Sequence, residues 1–114
     1  MSTRLEAAST APTHLSLDQL ARLRVLLIEE QALQRTRAAE LRDPADMEPD
    51  LAQVLLERCQ ETLDEIEAAL RLHDQGAYGA CSACGAAIPY ERLEALPGAH
   101  RCVSCQSSQE RVLR

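Results

Sequence analysis

Lysine, phenylalanine and tryptophan are absent from this 114-residue chain, and Tyr78 and Tyr90 are its only tyrosines. No stretch of about 18 apolar residues occurs, so nothing in the chain reads as a membrane-spanning helix. Without aromatics interleaved along a basic stripe there is no docking face for a nucleic-acid backbone. The net charge of −6 argues the same way. Between Asp43 and Asp74 ten carboxylates stand against Arg58 and Arg71, a local balance of −8 that would repel phosphates. Direct nucleic-acid binding is therefore not expected. Residues 1–15 lack the apolar core of a signal peptide and read as a flexible N-terminal tail, which points to a cytoplasmic protein. In that compartment cysteines more often bind metal than form disulfides.

Leucine and alanine dominate what is present, the composition of long helices and coiled coils. Ser16, with Gln19 three residues on, has the form of a capping box, and Leu15 can staple against Leu20. Apolar residues follow at Leu17, Leu20, Leu23, Leu26, Leu27 and Leu33, at helical spacing. The pattern thins through Gln34 and Arg35, and the helix should end near Arg42 because Asp43 precedes a proline. After Pro49, Asp50 and Gln53 repeat the capping logic for a second helix. Its heptads place Leu56, Leu63 and Leu70 at one seam position and Ala52, Cys59, Ile66 and His73 at the other. This reads Cys59 as a small buried hydrophobe and His73 as a packing residue at the hairpin base. A short connection between the helices requires them to turn back on each other.

From Gly76 the periodicity gives way to turns. Cys81-Ser82-Ala83-Cys84 and Cys102-Val103-Ser104-Cys105 are two C-x-x-C knuckles separated by 17 residues. That spacing resembles a zinc ribbon and supplies four soft ligands for one closed tetrahedral site, with Gly85 permitting close backbone approach. A closed site leaves no place for water, so this zinc would be structural. Other readings of the cysteines are a redox pair, an iron–sulfur site, a thiol switch superimposed on zinc, or replacement of one ligand by His100. No nucleophile–base pair or open metal position can be assembled, which argues against an enzyme. The chain ends with a short helical candidate from about Val103 to Leu113, which could pack back on the hairpin base.

The fold class is thus mainly α. A long antiparallel two-helix coiled-coil hairpin spans residues 16–75, and a small C4 zinc-finger module with a short C-terminal helix spans 76–114. The turn near 43–50 holds Asp43, Asp46, Glu48 and Asp50 with Met47 exposed among them. Asp43 and Asp50 suit helix caps; Asp46 and Glu48 are less easily explained that way. Tip carboxylates have no pocket to tune them and so fit presentation to a partner better than acid–base catalysis.

The run Tyr78-Gly79-Ala80-Cys81-Ser82-Ala83-Cys84-Gly85, with Ile88, Glu91-Arg92-Leu93-Glu94-Ala95-Leu96-Pro97 and Cys102-Val103-Ser104-Cys105-Gln106, resembles the zinc-finger signature of the DksA/TraR family. Asp43-Pro44-Ala45-Asp46 is similar to that family's coiled-coil tip. The resemblance implies a monomeric bacterial transcription factor whose hairpin enters the secondary channel of RNA polymerase. Asp43, Asp46 and Glu48 would form the effector tip and Arg58 would dock the hairpin at the channel rim. Three departures stand out. Glu48 replaces a small tip residue, and the second helix is shorter than in long members by about five residues, about 7 Å of reach. Leu96, Gln106 and Glu65 stand where long members carry basic residues for ppGpp, implying little response to it through this surface. Two further functions remain consistent with the residues: a zinc-stapled coiled-coil adaptor for another protein, and a thiol or zinc redox sensor.

Overall fold

A computed structural model describes the backbone of residues 14–113 and their side chains as far as Arg111. Among the described residues there are four helices: α1 (Leu17–Arg42), α2 (Pro49–Asp74), α3 (Tyr90–Ala95) and α4 (Val103–Leu113). Among the described residues the only β pairing is an isolated bridge between Ala80 and Ala87.

The capping box at the start of α1 forms as the sequence requires. The Gln19 N–H donates to Ser16 Oγ and the Ser16 N–H donates to Gln19 Oε1, both at 3.0 Å. The expected cap of α2 is displaced. Glu48, not Asp50, is the N-cap, its carboxylate accepting the Leu51 N–H at 3.0 Å. Proline has no N–H to satisfy and is pre-set for the first helical position, so α2 begins at Pro49 and the cap falls one residue before it. Asp50 then sits in the first turn, where it complements the helix dipole.

The two long helices are antiparallel and packed along their length. Near the base, His73 Nε2–H donates to the Leu20 carbonyl at 2.9 Å, and Arg24 pairs with Asp74 at 2.8 Å. His73 is half-buried, consistent with a packing role, and Nδ1 faces an Arg24 N–H at 3.5 Å. On α2 the seam residues Ala52, Cys59 and Ile66 are buried as expected, joined by Ala69. Leu56, Leu63 and Leu70 are half-buried along its flanks.

The seam of α1 differs from the simple apolar pattern. Its buried residues are Leu23, Leu27, Gln34 and Ala38, whereas Leu17 is 84% exposed and Leu33 45%. Leu20, Leu27, Gln34 and Leu41 recur at seven-residue spacing, so the seam passes through a polar residue. Gln34 is tolerated there because its amide N–H donates to Glu30 at 2.7 Å, satisfying a group whose burial would otherwise be costly. Toward the turn the buried residues are the small Ala38 and Ala52.

The hydrophobic core lies where the hairpin base meets the C-terminal module. Leu15, Leu23, Leu27, Ile66, Ala69, Tyr78, Cys81, Ile88 and Leu93 form one buried cluster. Leu15 therefore belongs to the core, and His14 Nε2–H donates to the Ile88 carbonyl at 2.6 Å. The expected tail boundary at residue 15 is corrected accordingly; residues 1–13 lie outside the described residues. The hairpin and module share this core. Packing of α3 against α1 strengthens the junction. The last helix forms as expected but does not pack back: among the described residues no Cα of α4 comes within 8 Å of another helix. Its sequence explains this, since Ser104, Ser107, Ser108 and Glu110 interrupt any apolar stripe and Val103 is 60% exposed.

Candidate metal centre

The first knuckle is built by a tight reversal of the chain. The Cys81 N–H donates to the Ala86 carbonyl and the Gly85 N–H to the Cys81 carbonyl, both at 2.8 Å. Gly85 has φ +79, a left-handed conformation that side chains disfavour. A Cβ there would meet nothing within 4 Å, so its role is the backbone angle and not close approach. Crowding occurs instead at Gly79, φ +101, where a Cβ would lie 3.0 Å from Leu15 Cδ1. The second knuckle spans the start of α4, where the Gln106 N–H donates to the Cys102 carbonyl at 2.9 Å. A bond of 2.7 Å from the Ser82 N–H to the His100 carbonyl ties the two knuckles together.

These turns bring the sulfurs of Cys81, Cys84, Cys102 and Cys105 within 4.8 Å of one another. Cys84 Sγ and Cys102 Sγ are 3.8 Å apart. Tetrahedral zinc with Zn–S bonds of about 2.3 Å requires sulfurs about 3.8 Å apart, so the cluster fits one zinc ion held by four cysteines. Before a cation binds, the backbone N–H of Cys102, helped by those of Cys84 and Ala83 and opposed by burial, pulls the Cys81 thiol down to about 6. The Cys102 and Cys84 sulfurs push Cys105 up to about 12. One thiolate is thus pre-formed while crowding holds another thiol protonated, and a divalent cation resolves the conflict by displacing the proton. Cys81 is buried and Cys84 exposed, so the site lies with one side in the core and one in solvent.

His100 is not a ligand. Its Nδ1 lies 3.2 Å from Ser82 Oγ, and Nε2 is 3.4 Å from Glu65 Oε2 on α2. It links the metal module to the hairpin. Tyr78, which the sequence reading passed over, does the same from the core. Its hydroxyl donates to the Pro97 carbonyl at 2.7 Å, its ring centroid is 5.7 Å from that of His73, and burial pushes the phenol up to about 12. The glycines on either side of its segment were a signal of constrained turns, but nothing in their spacing revealed the Pro97 contact. Cys59 is buried in the α1–α2 seam, away from this cluster.

The acidic turn lies at the other end of the hairpin. Asp43 is the residue at which α1 terminates, and both Asp43 and Asp46 are exposed. Glu48 is committed in part to its cap. Met47, expected to be exposed, is half-buried, since it lines a shallow groove with Leu41, Pro44 and Leu55. Asp46 and Arg58 line the same groove.

Residues 76–111 match the family model of the prokaryotic dksA/traR C4-type zinc finger. Along nearly its full length the chain is similar in structure to transcription factor DksA2 from Pseudomonas aeruginosa. The TM-score is 0.68 at 28% identity, covering 96% of this chain and 98% of that one. An uncharacterized protein of Aquifex aeolicus is 33% identical over 104 residues, 83% of this chain and 71% of that protein. The chain belongs to the DksA/TraR family. The RNA polymerase-binding transcription factor DksA of Caulobacter vibrioides is 39% identical over 75 residues, 64% of this chain and 53% of that protein. The DksA of Haemophilus influenzae is 36% identical over 73 residues, 60% and 50% respectively. The match spans about half the length of each DksA relative. The four family cysteines coincide with the cluster assembled here. Among the described residues no helix is long and apolar enough to cross a membrane.

Proposed function

We propose that this chain is a bacterial transcription regulator that binds RNA polymerase, inserts its hairpin into the secondary channel and modulates initiation through Asp43 and Asp46. The supporting observation is a geometry of delivery. Two packed 26-residue helices extend from a shared core beside the metal site and carry an exposed acidic turn at their far end. The molecule is 58 Å in its longest dimension and 25 Å in its shortest, a rod suited to a channel. The partner follows from family membership, because two DksA relatives bear the description RNA polymerase-binding. Arg58, exposed on α2 beside the turn, is the proposed docking contact. Glu48 contributes charge to the tip while its carboxylate anchors α2.

The proposal includes little response to ppGpp through this surface. Leu96 is uncharged, Glu65 faces His100, and Gln106 accepts from Arg101 while donating to Glu110. Arg92 and Arg101 in the adjoining groove are offset by Glu30, Glu65 and Glu110, so no net positive pocket is presented.

The test is capture of RNA polymerase with and without a competitor occupying the secondary channel, followed by in vitro transcription. Asp46→Asn should bind polymerase as the parent does yet lose its effect on initiation, and Arg58→Ala should bind more weakly. An Asp46→Asn protein that regulates like the parent removes the tip from the mechanism. Binding unaffected by the competitor places the contact elsewhere.

A further inference from the structure

Large buried side chains hold only the base of the hairpin. The core cluster reaches no farther than Leu27 on α1 and Ile66 on α2. Beyond those positions the two helices run on for about 22 Å toward the acidic turn. Over that length they bury four residues, Gln34, Ala38, Ala52 and Cys59. One is an amide, two offer a single methyl, and the fourth is a thiol. Leu41, Met47 and Leu55 are half-buried but line the open groove at the turn, and Leu56 and Leu63 lie on the flanks. Cross-links follow the same division. His73 bonds to Leu20 and Arg24 pairs with Asp74 near the base. Among the described residues no side-chain hydrogen bond or ion pair joins α1 to α2 farther out. Gln34 pairs with Glu30, Thr36 with Ala32 and Gln53 with Glu57, each within its own helix. Charge does not make up the difference. From Pro49 to Glu65 five carboxylates stand against Arg58 alone, and Glu57, Glu61 and Glu65 repel one another at four-residue spacing.

We propose that the distal hairpin, from Gln34 through the turn to Cys59, opens as one cooperative unit while the base and the metal module stay folded. Helices of this length are marginal in water by themselves, so their seam must hold them. Truncating one buried leucine to alanine weakens a fold by a factor of roughly 30 to 4000. At Ala38 and Ala52 the distal seam is already built with the smaller side chain. There α1 and α2 shield only each other, so separation of one exposes the other and both open together. Opening releases the turn that carries Asp43 and Asp46 from the direction set by the base. It also uncovers Cys59, which is otherwise 7% exposed. The acidic turn therefore rides on an adjustable arm, which a partner enclosing both helices would close. This opening is argued from packing alone and does not depend on the polymerase reading.

Amide hydrogen exchange of the full chain with zinc in excess tests it. Relative to their intrinsic rates, amides of residues 34–41 and 53–59 should exchange about 100-fold faster than those of 23–27 and 66–70. The two distal segments should share one opening constant and one urea dependence. Maleimide labelling of Cys59, located by peptide mass spectrometry, should follow the same constant. Cys59→Ala, a change on α2, should speed exchange in both distal segments by roughly 3- to 10-fold and leave the base unaltered. Uniform protection along the hairpin overturns the proposal. So does protection that declines residue by residue toward the turn, which is end fraying, or a Cys59→Ala effect confined to α2. A Cys59 that stays unlabelled while the distal amides exchange overturns it as well, because the helices would then loosen without separating.

Discussion

Replacing Gly79 by alanine should destabilise the protein by about 2–5 kcal/mol, and two separable effects make up that figure. The first is conformational. At φ +101 an L-residue is strained, at a cost of about 1–2 kcal/mol. The second is steric. The new methyl would lie 3.0 Å from Leu15 Cδ1 and 3.3 Å from His14 Cε1. Relief requires movement of Leu15, which is only 5% exposed and belongs to the main core cluster, and disturbs the 2.6 Å bond from His14 to Ile88. Overpacking of this kind costs about 1–3 kcal/mol. Gly85→Ala is the internal control, because φ is +79 but nothing lies within 4 Å of the added atom. It should lose only the conformational part, about 1–2 kcal/mol. Urea unfolding of both variants with zinc held in excess measures the difference. At an m-value of about 1.5 kcal/mol/M, Gly79→Ala should lower the midpoint by about 1–3 M. Equal losses in the two variants would refute the crowding at Leu15, and no loss in either would refute the backbone argument.

Leu27→Ala should cost about 2–5 kcal/mol in the same assay while Leu17→Ala stays within about 0.5, since Leu27 is fully buried and Leu17 is 84% exposed; comparable losses would contradict the seam described here. Glu48→Ala should lose about 0.5–1 kcal/mol through its cap, whereas Asp46→Asn should leave stability unchanged; thermal melts would separate the two tip carboxylates. Zinc binding at pH 7 should release protons, because Cys81 with its pKa lowered to about 6 is already ionised but Cys105, raised to about 12, is not. Apparent zinc affinity should therefore weaken as pH falls, most steeply once it drops through about 6 and Cys81 also protonates. Titration calorimetry in two buffers of different ionisation enthalpy reads the protons, and a pH-independent affinity would show that the ligands are not thiolates. For the metal-free chain the sign for Cys81 is the same. Its depressed value in the folded state contributes stability present above about 9 and lost as pH falls through about 6.

Much of the architecture was legible in local chemistry. The Ser16–Gln19 box, the Asp43-Pro44 stop and the C-x-x-C pairs are short-range devices, each acting over a few residues. They bounded α1, marked the break before α2, and identified Cys81, Cys84, Cys102 and Cys105 as one ligand set. The heptads of α2 named Ala52, Cys59 and Ile66 correctly because that seam position stays apolar until His73 at the hairpin base. On α1 the helical spacing grouped Leu17 and Leu33 with the other apolar residues without saying which are buried, since that helix is apolar on more than one face and periodicity alone does not say which face meets a neighbour. The polar Gln34 entered the seam for the same reason: its burial depends on a side-chain bond to Glu30.

The sequence by itself determined the elements, the direction of the hairpin and the chemistry of the metal ligands, because caps, proline geometry and thiolate softness are local properties. Only the tertiary structure decided which residues join the hairpin to the metal module. Leu15, Tyr78 and His100 meet Ile88, Pro97 and Glu65 across long separations in the chain, and such contacts are set by how the helices and turns pack together. It also decided that Glu48 holds the start of α2 and that α4 stands away from the hairpin, since each depends on which partner is within reach once the chain has folded.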